Sequence, residues 1–186
     1  MSLPTIDGLV SLPAVQHLDL LAPPVAEAVS AWPQAEHLAV VEIDPSLADT
    51  AAMMEAFSLP LTAGANCVLV AGKRDGEERV AACVVRSDTR VDVNKIVKQT
   101  LDVRRPSFMP MDRAVGESGM EFGGITPIGL PTSWRLLVDS RVSTIEVAVI
   151  GSGLRRSKLL LPGSLLTRLP GAEVIEDLAY QPDSAT

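Results

Sequence analysis

The chain has 186 residues, 47% of them hydrophobic, with a formal net charge of −7 and a pI near 4.8, enough for one domain with a sizeable core. It lacks the roughly 18 uninterrupted apolar residues of a membrane span and the basic start of a secretory signal, so a cytoplasmic protein with no membrane partner is expected. An extended nucleic-acid footprint, DNA included, is disfavoured by the acidic balance, and six aromatic residues are too few to coat a single strand with stacking surfaces. No Lys or Arg precedes Lys73, whereas eight acids do, so any phosphate contact must come from the later part of the chain. Two cysteines and two histidines complete no metal site, and neither metal nor cofactor is expected.

In chain order, residues 11–32 predict one or two short helices interrupted at Pro23 and Pro24. A strand over 37–43 follows, then a helix over 46–57 with Leu47, Ala51, Met54 and Phe57 near one face. Residues 66–86 give the clearest local pattern, because Asp75-Gly76 between two apolar runs is a type I′ hairpin signal. That turn sets Arg74 opposite Glu77, Lys73 opposite Glu78, Cys67 opposite Val84 and Val68 opposite Cys83. The two sulfurs then point to opposite faces, and both faces are apolar, so the hairpin belongs inside a sheet covered on both sides.

Asp92 can cap a helix over 93–101, whose Lys95 and Lys98, with Arg104 and Arg105 beyond, form the densest basic group. As a solvated face they need no function, which is the usual role of a charge run, and the alternative is that they contact phosphates. A short helix over 111–116 leads into Gly119–Gly129, G-M-E-F-G-G-I-T-P-I-G. Four glycines and a proline in eleven residues make a stiff loop with exposed amides, suited to a carbonyl, carboxylate or phosphate oxygen. The alternative is a tight turn with Pro127 opening an edge strand. Strands near 135–138, 144–150 and 158–161 follow, with a Gly151-Ser152-Gly153 turn, a short helix after Pro162 and Gly163, and a polar end from about Gln181. The fold class is α/β: a single domain built on a mixed, strongly twisted, barrel-like sheet surrounded by helices. Its expected parts are a helical extension packed on the domain (1–36), the domain proper (37–178) and a polar tail (179–186).

Taken in order, V-V-E-I-D-P-S-L-A-D-T, the hairpin A-N-C-V-L-V, D-V-N-K-I-V-K, the glycine loop, L-V-D at Leu137–Asp139 and the late V-I-G-S-G turn resemble the YbaK/ProX family of aminoacyl-tRNA deacylases. The resemblance covers roughly residues 37–175. It implies hydrolysis of the ester joining a wrong amino acid to the 3′ acceptor end of a tRNA, by a free-standing version acting in trans, with association with a synthetase as a further option. By the same resemblance Gly123, Gly124 and Ile125 offer amides to the acyl oxygen, Thr126, Pro127, Gly129, Gly151, Ser152 and Gly153 border the substrate, and Lys95, Lys98, Arg104 and Arg105 meet phosphates. Many members carry a lysine at the start of the hairpin strand, where this chain has Asn66. Its loss leaves a second expectation open, a non-catalytic module that binds aminoacyl-tRNA or a small ligand.

Overall fold

Helix and strand starts follow local chemistry in the computed structural model, which describes residues 2–182. After the short strand β1 (Leu12–Pro13) and two turns of 3-10 helix, Pro23 and Pro24 open helix α1 (Pro23–Ala31) instead of interrupting it. At the first two helical positions a proline's missing N–H is no loss and its fixed φ is already helical. Strand β2 (Ala39–Glu42) leads through a 3-10 turn at Pro45–Leu47 to α2 (Thr50–Ala56), where the Asp49 carboxylate accepts from the amides of Ala51 and Ala52. The helix expected over 46–57 is thus split, and Ala51 is exposed while Met53 and Met54 are buried.

The hairpin is β3 (Ala65–Arg74) and β4 (Glu77–Arg86), with Asp75 and Gly76 both at positive φ as the type I′ turn requires. All four expected pairings hold: Arg74 with Glu77, Lys73 with Glu78, Cys67 with Val84, and Val68 with Cys83. Leu69, Ala71, Val80, Ala82 and Val84 face one hydrophobic cluster, and Val70, Ala81, Cys83 and Val85 face another.

Strand β5 (Arg90–Val91) precedes a wide π-helical turn at Val93–Val97, capped by Asp92, which runs into α3 (Lys98–Leu101). Then come the edge strand β6 (Ser107–Phe108), helix α4 (Met111–Ser118) and strand β7 (Arg135–Asp139). Asp139 accepts from the Arg141 amide and coils residues 140–144 into a 3-10 turn. The next strand, β8 (Ala148–Gly151), therefore begins later than the 144 expected. The chain closes with β9 (Ser157–Leu161), α5 (Gly163–Leu166), β10 (Ala172–Ile175) and β11 (Ala179–Tyr180).

The α/β class and mixed sheet hold, but the strands do not close into a barrel. One sheet is antiparallel in the order β1-β2-β9-β8, and the other is mixed in the order β10-β7-β4-β3-β6. Between them the larger cluster takes Val40, Ile150 and Leu159 from the first sheet and Leu69, Val84 and Val138 from the second. Where the sheets approach at one corner they share only an isolated bridge, Gly64 with Val149, so the ladder that a barrel needs is interrupted there. Residues 12–37 pack into the same core through Ala14, Leu20, Val25 and Val29. At the other end, residues 179 and 180 form no tail: they pair with Val91 and Arg90 as β11. Of the rest of the expected tail, 181 and 182 are exposed without regular structure, and 183–186 lie outside the described residues. Among the described residues no helix is long and apolar enough to cross a membrane.

Candidate functional site

The glycine loop is stiff because it is strapped to the turn that follows β8. The Glu121 amide donates to the Gly153 carbonyl (2.8 Å), and the Gly153 amide donates to the Gly124 carbonyl (2.7 Å). Two glycines allow this approach: a Cβ on Gly151 would collide with the Gly124 carbonyl oxygen, and one on Gly124 would press on the backbone of Leu154. The Glu121 carboxylate accepts from the Arg155 amide (2.6 Å), and the Arg155 guanidinium donates to the carbonyls of Phe122 (3.1 Å) and Pro45 (2.9 Å).

This bracing corrects one of the three expected amides. The Gly124 N–H donates to the Glu121 carbonyl at 2.9 Å and cannot also meet an acyl oxygen. Among the described residues the Gly123 and Ile125 amides have no hydrogen-bond acceptor, so the loop keeps two donors.

Asn66 and the loop line one cleft of about 460 Å³, with Gly123, Ile125, Gly151, Arg155 and Lys158 among its walls. It opens at the corner where β3 leaves the mixed sheet to meet β8 at the Gly64–Val149 bridge. The Asn66 side-chain carbonyl accepts from the Thr50 hydroxyl (2.8 Å), which fixes the amide orientation and leaves its NH2 group as a donor. Cys67 also borders the cleft, but burial pushes its thiol up, so it remains neutral and unreactive.

Lys158 is the residue that sequence reasoning missed. Side chains alternate along β9, so Leu159 and Leu161 enter the large core while Lys158 shares the other face with Leu160. It is only 3% exposed, and its ammonium donates to the carbonyls of Ala48 (2.5 Å) and Gly123 (3.3 Å). Burial, assisted by the nearby Arg155 charge and opposed by Asp49, lowers its pKa to about 8. An ammonium has three protons, so one donor remains for a ligand. The available signal was a charge at an apolar-register position in S-K-L-L-L, where a core strand ordinarily has none.

Other expected site residues separate. Ser152 is buried and hydrogen-bonded to Ser157 (2.7 Å), and Gly153 is buried in the strap, so both brace the loop without lining the cleft. Thr126 is fully buried, its hydroxyl without a partner among the described residues. Pro127 and Gly129 line a different cavity of about 370 Å³, walled by Trp32 and Trp134. The four cations are strung out, not clustered. Lys95 lies in the turn capped by Asp92, whereas Arg104 reaches the hairpin tip, its amide on the Lys73 carbonyl and its guanidinium on Asp75. Lys98 and Arg105 are exposed. Among the described residues no three His, Cys, Asp or Glu side chains gather as a metal ligand set.

Residues 44–169 match the family model described as the aminoacyl-tRNA editing domain. No curated protein matches the chain. Among solved structures, a proposed trans-editing enzyme for prolyl tRNA synthetase superposes with a TM-score of 0.70 at 19% identity, over 83% of this chain and 94% of that one. The hypothetical protein APE2540 superposes with a TM-score of 0.72 at 20% identity, over 84% and 99%. At such identities the likeness is one of fold.

Proposed function

The chain belongs to the aminoacyl-tRNA editing domain family, and from that premise we propose that it is a deacylase acting in trans on the 3′ acceptor end of mischarged tRNA. The observation that carries this reading is the single cleft lined by Asn66, a buried lysine and two loop residues, Gly123 and Ile125, whose amides have no acceptor among the described residues.

Water adds to the ester carbonyl carbon, and the carbonyl electron pair moves to oxygen. The tetrahedral centre then collapses, breaking the bond to the terminal ribose oxygen, which takes a proton as the free amino acid departs. Negative charge develops on the acyl oxygen, and in this reading the Gly123 and Ile125 amides and the third Lys158 proton receive it. Donors held rigid before the reaction need no reorganisation, and loss of one typically costs about 10²–10³-fold in rate. Lys158 supplies, from β9, the positive charge absent at position 66. The Asn66 NH2 is left to hold a substrate oxygen. A hydrolytic pocket that sorts small amino acids has a physical purpose, since one methylene changes binding by only about 1–3 kcal/mol.

The test is release of free amino acid from a panel of mischarged tRNAs. Turnover is expected on at least one, with kcat/KM lowered about 100-fold in Lys158→Met and less in Asn66→Ala. No turnover on any member removes the proposal. One observation favours a second reading, a non-catalytic binding module: the Asn66 carbonyl is already engaged by Thr50 and the residue brings no charge. That reading predicts binding of a non-hydrolysable aminoacyl-adenosine without turnover of the ester.

A further inference from the structure

Only six residues of the chain are aromatic, yet Phe108, Phe122 and Tyr180 are 63%, 58% and 52% exposed. Burying an aromatic ring is ordinarily among the largest favourable terms available to a fold, so three left in water call for an explanation. All three stand around the same corner of the molecule. Phe122 is on the wall of the cleft already described. Phe108 and Tyr180 flank a second groove, of about 580 Å³, that shares Asn66 and Val68 with that cleft.

The groove is built from strand ends. Phe108, on the edge strand β6, is paired with Val70 and so projects from the same face of the sheet as Val68. Tyr180 is paired with Arg90 across β11 and β5, which sets a guanidinium beside the phenol ring. Arg90 is exposed and makes no ion pair among the described residues. Asp92, which also lines the groove, accepts from the Lys95 amide at 2.9 Å.

We infer that this groove takes the nucleotides immediately preceding the terminal adenosine of the acceptor end, with their bases stacked on Phe108 and Tyr180 and a phosphate on Arg90. Exposed rings beside an exposed guanidinium suit a flexible single strand, whose every base offers a π-face and whose every link carries a charge. Continuity through Asn66 supplies the direction: an ester held in the first cleft leaves the preceding nucleotides to follow the surface towards Val68 and Phe108. The inference rests on the proposed function, and its test separates the two.

The probe is the tetranucleotide ACCA with 2-aminopurine replacing its third base, the one immediately before the terminal adenosine, titrated into the full chain and into the double variant Phe108→Ala/Tyr180→Ala. Both side chains are exposed, so folding should survive, and Phe108→Leu/Tyr180→Leu provides a milder control that keeps apolar bulk but no ring. Base–aromatic stacking contributes about 1–3 kcal/mol per base, so Kd should rise at least about tenfold in both variants while the wild type quenches the probe. In parallel, kcat/KM should fall on a mischarged tRNA and stay unchanged on the same amino acid esterified to adenosine alone. No binding of the tetranucleotide by the wild type, or equal binding by the variants, overturns the inference even if deacylation is observed. Ring-dependent binding without turnover of any ester keeps the groove and removes the deacylase.

Discussion

At the residue scale, Lys158 carries the most consequence, because a buried ammonium is expensive unless paired, and its partners are two backbone carbonyls. Its pKa of about 8 in the folded state lies below the unfolded value of about 10.4. Below pH 8 both states hold the proton and the folded state bears the full cost of burying it. As pH rises from about 8 towards 10.4 the folded protein gives up that proton while the unfolded chain keeps it, so this contribution to stability increases with pH. Urea titrations across that window should show the rise in the wild type and its absence in Lys158→Met. Activity should move the other way: if the cation stabilises the oxyanion, the wild type's rate advantage over Lys158→Met shrinks as pH passes 8. A constant ratio from pH 6.5 to 9.5 would mean that the lysine serves only to hold the loop.

Between residue and domain, the elements were legible wherever the signal was local. The hairpin register followed from two turn residues and the cross-strand charges, and the cap at Asp92 from its side chain. Elements whose existence depends on a distant partner were not legible. Strand β10 is a short segment just after Pro170 and Gly171 that becomes a strand by pairing in parallel with β7, and β11 does so by pairing with β5. Asp139 joins these pieces. It is 1% exposed and accepts from the amides of Arg141 (3.0 Å) and Ala179 (2.9 Å) and from the Arg141 guanidinium (3.2 Å). Asp139→Ala leaves a buried amide without an acceptor and should cost about 2–3 kcal/mol. The loss should appear as a lower urea midpoint at unchanged slope, and a change within 0.5 kcal/mol, about the noise expected of a surface substitution, would show that β11 is not held by this carboxylate.

For the whole molecule, the uneven charge limits how an RNA can approach. The first 72 residues carry eight acids and no Lys or Arg, including exposed Asp44 and Asp49 on the α2 side of the cleft, so in the proposed complex phosphates would be repelled there and favoured on the side of β5 and the turn after it. Lys95 is the cation of the expected four that lies in that turn, whereas Arg104 sits at the hairpin tip with Asp75. Lys95→Glu should weaken tRNA binding and reduce the slope of log K against log salt by about 1, while Arg104→Glu leaves both unchanged. Equal losses from the two would show that the tRNA lies along the length of α3 instead.

From its own pattern the chain determined the alternation that gives the hairpin two apolar faces, the turn that sets its register, the cap at Asp92, and a glycine loop too stiff to be an ordinary element. Tertiary structure alone decided that Ser152 and Gly153 brace the loop, and that Lys158 and Asn66 meet in one cleft. The physical reason is range: turn chemistry and side-chain periodicity act over a few residues, but a cleft is made where two sheets pack, and only packing brings side chains from β3 and β9 to one point.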